Sequence, residues 1–316
     1  LTIKNKEMKR ISKYLLLLLA VASLHSCTKD TTTPVVKKFD AFLTEDANLS
    51  VFKSMVDKAQ LDDFKNGPGP FTWLAPTNAG LARIGINQDT VNKLTSGQCN
   101  YIVMYHLINA RVEAGDMITR NSIPRSTQLG ATSTGLAYIG MKGTENFING
   151  SKIISRDNRV SNGVVHVLER GNIPPLFTGT IQAMLMRTGQ HTLFMQAMTR
   201  AGLMTQLNTT SVFTVLAPND AAMTAAGLDA ATITSMPIAT LTNTLRVHYF
   251  TSVRLFNNDF VNGKTNQTAL AGRQLTVSNN GAALRGPGNT SDVTFLAQDF
   301  LGTNGVLHIL NGVLRP

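Results

Sequence analysis

The chain has 316 residues, of which 43% are hydrophobic and 15% charged, with a formal net charge of +10. That length suits roughly two domains of about 150 residues, each able to bury its own core, and the composition excludes both a disordered chain and a polytopic membrane protein. Residues 1–26 hold Lys4, Lys6, Lys9, Arg10 and Lys13 against Glu7, and the charge that remains beyond them is scattered. It forms no basic stripe interleaved with aromatics, which excludes nucleic acid as a partner.

In chain order, the basic N-terminal stretch leads into an apolar run of about 11 residues, Tyr14 to Leu24, and then into small residues. This is the layout of a secretory signal peptide, of ordinary length when counted from Met8. The run is short of the roughly 20 residues a membrane-spanning helix needs. Leu24-His25-Ser26-Cys27 resembles a bacterial lipobox, in which the signal is cut before the cysteine and the cysteine receives lipid. The expected organisation is a signal peptide over residues 1–26, lipid attachment at Cys27, and a Thr- and Lys-rich tether over residues 27–38. Cys99 is then the one remaining thiol, so no disulfide is expected within the mature domains, and beside Tyr101, Ile102 and Val103 it reads as a small buried hydrophobe.

Beyond the tether the chain repeats itself. Phe71-Thr72-Trp73-Leu74-Ala75-Pro76 returns as Phe213-Thr214-Val215-Leu216-Ala217-Pro218, an offset of 142 residues. Asn162-Gly163-Val164-Val165-His166-Val167-Leu168 returns as Asn304-Gly305-Val306-Leu307-His308-Ile309-Leu310 at the same offset, and His106 matches His248. A constant register from end to end implies a duplicated domain, with copies expected at 39–174 and 177–316. Leu49, Phe52, Val56 and Ala59 recur at helical spacing, as do Phe194, Met198 and Ala201, so each copy opens with an amphipathic helix. A second helix is expected over Gln98 to Ile108, followed by strands at Leu136–Met141, Ile148–Ile154 and Val164–Leu168. Helices followed by strands predict an α+β architecture. Each copy should fold alone, and the short Pro174-Pro175 connection should restrict their mutual orientation.

These blocks resemble the fasciclin I-type, or fasciclin-like, domain: the Phe71–Asn78 segment, the Tyr105-His106 pair and the Asn162–Leu168 strand each have a counterpart in copy two. The resemblance covers nearly the whole mature chain. It implies two tandem fasciclin-like domains, each a wedge of mixed β-sheet with helices packed on one side, and a role in adhesion that engages the Tyr-His region. Copy two departs from the pattern, reading His248-Tyr249 where copy one reads Tyr105-His106, and Asn311 stands where an acid is expected.

Catalytic nuclei are not found. Gly263-Lys264-Thr265 looks like the end of a phosphate-binding loop, but Asn258 stands where its first glycine belongs, and Gly-x-Ser-x-Gly, His-Glu-x-x-His and Cys-x-x-Cys patterns do not occur. His166 and His308 lie in strands apolar on both sides, without a carboxylate or thiol at ligand spacing, so they read as structural, and neither metal nor cofactor is expected. The loops differ between copies more than the core does: Asp116 to Gln128 carries Arg120 and Arg125, where Asn258 to Leu270 carries Lys264 alone. A ligand surface is therefore expected near Arg120 and Arg125, bordered by Tyr105 and His106. The expected function is that of a non-enzymatic cell-envelope lipoprotein, held at the outer membrane by its lipid anchor. It would adhere to extracellular matrix, a glycan or a surface protein. The alternatives are an accessory glycan-binding component of a polysaccharide-uptake system and a passive spacer.

Overall fold

The computed structural model describes residues 36–118, 122–263 and 265–316. The expected signal peptide, Cys27, most of the expected tether and Arg120 lie outside the described residues.

Copy one begins with α1 (Phe39–Glu45), α2 (Ser50–Lys58) and α3 (Asp62–Asn66), which lead into strand β1 (Phe71–Pro76). Helices α4 (Asn78–Ala82), α5 (Gln88–Lys93) and α6 (Ser96–Tyr105) follow, then β2 (Leu107–Ile108), β3 (Ile123–Ser126), β4 (Leu136–Lys142), β5 (Glu145–Ile148), β6 (Ser151–Val160) and β7 (Gly163–Leu168). The strands form one sheet in the order β2-β1-β7-β6-β5-β4-β3. Only β1 and β7 run parallel, in register from Phe71 opposite Gly163 to Pro76 opposite Leu168. Every residue of both strands is buried, as expected of central strands covered on two faces. One face carries the helices, with Phe39, Phe52, Met55 and Val103 packed on Trp73 and Val165. Across the curl of the sheet Leu74 and Leu168 meet Ile139, Ile148 and Ile153 in a second, smaller core.

Copy two repeats this plan. Helices α7 (Pro175–Thr178), α8 (Ile181–Thr188) and α9 (Thr192–Arg200) precede β8 (Phe213–Pro218), and α10 (Asp220–Ala225), α11 (Ala230–Ser235) and α12 (Ile238–Arg246) follow it. Strands β9 (Tyr249–Thr251), β10 (Thr265–Gln267), β11 (Gln274–Ser278), β12 (Ala283–Arg285), β13 (Val293–Gly302) and β14 (Gly305–Leu310) complete a sheet ordered β10-β11-β12-β13-β14-β8-β9. The parallel pair is again central, β8 with β14.

The repeated sequence blocks have local causes. A side chain at Gly163 would place its Cβ 1.9 Å from the Phe71 carbonyl oxygen, and one at Gly305 would come 2.1 Å from that of Phe213, so the parallel pair closes only over glycine. The asparagine before each glycine ties down the segment leading into the first strand: Asn162 Nδ2 donates to the carbonyls of Phe64 and Lys65, and Asn304 Nδ2 to those of Leu207 and Thr209. Two expected elements are redrawn. The second helix starts at Ser96 because Thr95 and Gln98 form a reciprocal capping box, and it stops at Tyr105 because Leu107 and Ile108 join the sheet as β2. The strand expected at Ile148–Ile154 is a hairpin, turning at Asn149 and Gly150, which both adopt positive φ.

Candidate functional site

The four repeat-equivalent histidines are framework groups. His166 Nδ1 accepts the Asp157 backbone N–H at 3.2 Å, which leaves its Nε2–H to donate to the Val112 carbonyl at 2.8 Å. His308 makes the same pair of bonds, to Asp299 N–H at 3.3 Å and the Leu255 carbonyl at 2.8 Å. His106 Nε2 accepts from Asn172 N–H and its Nδ1 donates to the Ile102 carbonyl; His248 Nε2 accepts from Leu314 N–H and its Nδ1 donates to the Leu216 carbonyl. One acceptor and one donor per ring is the full capacity of a neutral imidazole. Burial holds all four below the ordinary histidine range, His106 and His248 at about 4. No group of three His, Cys, Asp or Glu among the described residues could hold a metal ion.

Three of the four residues singled out for ligand binding lie among the described residues. Tyr105 and His106 are each 1% exposed. The Tyr105 hydroxyl donates to the Leu136 carbonyl at 2.8 Å and accepts from Asn149 Nδ2 at 3.0 Å, and burial raises its pKa. Both side chains thus have their polar atoms bonded inside the fold, and neither reaches solvent. Arg125 is exposed on β3, where its Nη1 donates to the Pro124 carbonyl at 3.2 Å. Arg120 lies outside the described residues.

The two copies meet at a junction that joins side chains of both. Tyr105 and Tyr138 of the first pack with Phe256, Leu301 and Val306 of the second in a small core common to both. The Arg254 guanidinium lies 5.3 Å from the centre of the Tyr138 ring. Beside them the Asp299 carboxylate, its side chain wholly buried, accepts from Arg170 Nη2 at 3.1 Å, from the Asn257 backbone N–H at 2.7 Å and from Asn257 Nδ2 at 2.5 Å. Asn257 Nδ2 also donates to the Gly150 carbonyl, and Arg170 reaches the Gln298 carbonyl. Ser122 N–H donates to Asp259 Oδ1 and its hydroxyl accepts from Asn258 Nδ2, while Lys142 donates to the Asn280 carbonyl.

Sequence reasoning missed this junction, although the 142-residue register held a sign of it. By hydrogen-bonding position and sheet register Tyr105 is replaced by Val247, Tyr138 by Thr276 and Arg170 by Gly312, while Asn257 stands where copy one has Ala114 and Arg254 repeats Arg111. Tyr105, Tyr138 and Arg170, which do not repeat, serve the neighbouring domain. Asp299 serves both domains. Its counterpart Asp157 has the same left-handed backbone in the same strand bulge and accepts from Ala114 N–H at 2.7 Å. The second copy keeps that local role and adds the cross-domain guanidinium.

The Fasciclin domain family model matches residues 47–171 and 189–316. The chain belongs to the fasciclin domain family. Its two fasciclin domains are α+β units in tandem, each a curled mixed sheet with packed helices. Among curated relatives, periostin of Homo sapiens is 23% identical over 287 residues, covering 90% of this chain and 32% of that protein. Transforming growth factor-beta-induced protein ig-h3 of Sus scrofa is 27% identical over 169 residues, covering 54% of this chain and 24% of that protein. The chain thus spans a quarter to a third of the length of these relatives. A solved FAS1 domain pair from the insect cell adhesion molecule Fasciclin I covers 84% of this chain and 96% of its own, at 18% identity and a TM-score of 0.41. Among the described residues no helix is long and apolar enough to cross a membrane.

Proposed function

We propose that this chain is a non-enzymatic cell-envelope lipoprotein, anchored at the outer membrane through lipid on Cys27. It presents its two fasciclin domains as one locked pair for adhesion to matrix, a glycan or a surface protein. The observation that carries this reading is the junction. A wholly buried carboxylate at Asp299 holding Arg170 of the other domain fixes the distance and angle between the two outer surfaces, as a load-transmitting surface module requires. Family membership supports it, since fasciclin domains occur in adhesion and extracellular-matrix-binding proteins. The proposed ligand-facing segment remains the copy-one stretch bearing Arg120 and Arg125, of which Arg125 is exposed.

Two measurements test the proposal. Cys27→Ala should give a protein that no longer partitions into membrane or a detergent phase; a variant that fractionates like the parent removes the anchor. Anchored protein on intact cells should bind a matrix polymer or surface glycan saturably, and Arg120→Ala/Arg125→Ala should reduce that binding. Absence of saturable binding to every polymer tried would leave the pair as a spacer.

A further inference from the structure

One cleft occurs twice, at the same place in each domain, with opposite chemistry. In the first domain it lies between α1 and the bulged strand β6 and is lined by Phe42, Glu45, Asp46, Asn158 and Val167. The 142-residue register carries these to Met184, Arg187, Thr188, Phe300 and Ile309, which line a cleft of about 440 Å³ between α8 and β13–β14. Glutamate has become arginine and asparagine has become phenylalanine.

The second cleft is also deepened by the first domain. Arg83, Ile84 and Ile173 form one wall, and Phe177 of α7 another. A neighbouring cleft of about 450 Å³ shares Ile84, Ile173 and Phe300 and adds Leu296. Each is within the size range of small-molecule sites, which are mostly apolar with few polar groups. Phe177, Leu296 and Phe300 leave 42%, 55% and 41% of their surface in water here, an apolar surface without a cover.

The charges decide what would cover it. In the first cleft Glu45 is paired with Lys37, and Asp46 accepts the Asn48 N–H. In the second, Arg83 is paired with Glu169 at 3.1 Å. Arg187 has no carboxylate partner among the described residues; its Nη1 and Nη2 donate to the neutral carbonyls of Phe177 and Thr178 at 3.2 and 2.9 Å. Those two bonds hold the guanidinium at the rim without neutralising it, leaving further N–H groups for an anion.

We propose that this cleft binds a linear alkyl chain ending in a carboxylate, the head group on Arg187 and the chain along Met184, Phe300 and Ile309. The site does not depend on the adhesive role, and it exists only when the two domains are docked.

The test is calorimetric titration of dodecanoate, below its micellar concentration, into the full-length chain. Saturable binding of one dodecanoate at this site is expected. Arg187→Glu and Phe300→Asn install the residues the equivalent cleft carries, at exposed positions, so both variants should keep the parent melting temperature. Each should weaken binding about tenfold or more, whereas Glu45→Arg in the first cleft should leave it unchanged. Dodecanol should bind more weakly than dodecanoate to the parent, and its own affinity should be much the same for the parent and Arg187→Glu. Unchanged binding in both cleft variants overturns the proposal, as does the absence of saturable binding. Adsorption to phosphatidylglycerol vesicles without dodecanoate binding would make the surface a membrane contact and overturn it equally.

Discussion

Arg170 of the first fasciclin domain donates to the carboxylate of Asp299 in the second at 3.1 Å, the aspartate side chain wholly buried and the arginine about a quarter exposed. Removing the guanidinium leaves a buried carboxylate with Asn257 as its remaining hydrogen-bond donor beyond the backbone. Arg170→Ala should therefore lower stability by about 1–3 kcal/mol, and Arg170→Lys should recover part of it. Urea unfolding of the full chain measures this; an unchanged midpoint would mean the pair contributes nothing to docking.

The histidines make stability depend on pH in a defined window. His106 and His248 are held at about 4 in the fold against an ordinary value of 6.5, and His166 and His308 are shifted in the same direction. Between those values the unfolded chain takes up protons that the folded chain does not. Stability is therefore full above about pH 6.5 and falls as pH drops toward 4, by up to roughly 3 kcal/mol for each of His106 and His248. Unfolding free energies measured at pH 7.5, 6, 5 and 4.5 should decline in that order. A flat profile would contradict the neutral, doubly bonded imidazoles.

Two glycines in one domain should respond to alanine with opposite sign. At Gly163 the new Cβ would meet the Phe71 carbonyl oxygen at 1.9 Å, so the central parallel pair must separate, at a cost of about 3 kcal/mol or more. At Gly97 in α6 nothing lies within 4 Å, and alanine should stabilise by about 0.5–1 kcal/mol. Thermal unfolding of the two variants gives the comparison; destabilisation by both would remove the distinction.

The duplication was legible because core positions repeat their chemistry. Phe71 with Phe213, Gly163 with Gly305 and His166 with His308 each face the same neighbours twice. Local signals also placed helix starts, as with the Thr95–Gln98 box. The hairpin at Asn149-Gly150 was readable as turn chemistry but was absorbed into an apolar run. Burial of Tyr105 was not readable, since a tyrosine beside a histidine at a helix end suits a surface as well as a core. Its concealment depends on Phe256 and Leu301, about 150 and 200 residues away in the chain, which no local pattern connects to it. Arg187 was invisible for a related reason: its meaning lies in the contrast with Glu45 once both clefts are seen.

The shared cluster of Tyr105, Tyr138, Phe256, Leu301 and Val306 makes the two domains partners in stability as well as in position. Tyr138→Ala removes a ring packed at 5.5 Å on Phe256 and 5.3 Å from the Arg254 guanidinium. It should cost about 3 kcal/mol and uncouple the domains.

The central claim is that the two fasciclin domains act as one locked pair, and differential scanning calorimetry of the full chain tests it most directly. The account predicts a single transition for the parent, with calorimetric and van't Hoff enthalpies in agreement, and two separated transitions for Tyr138→Ala/Arg170→Ala. Two independent transitions in the parent, unmoved by those substitutions, would contradict it.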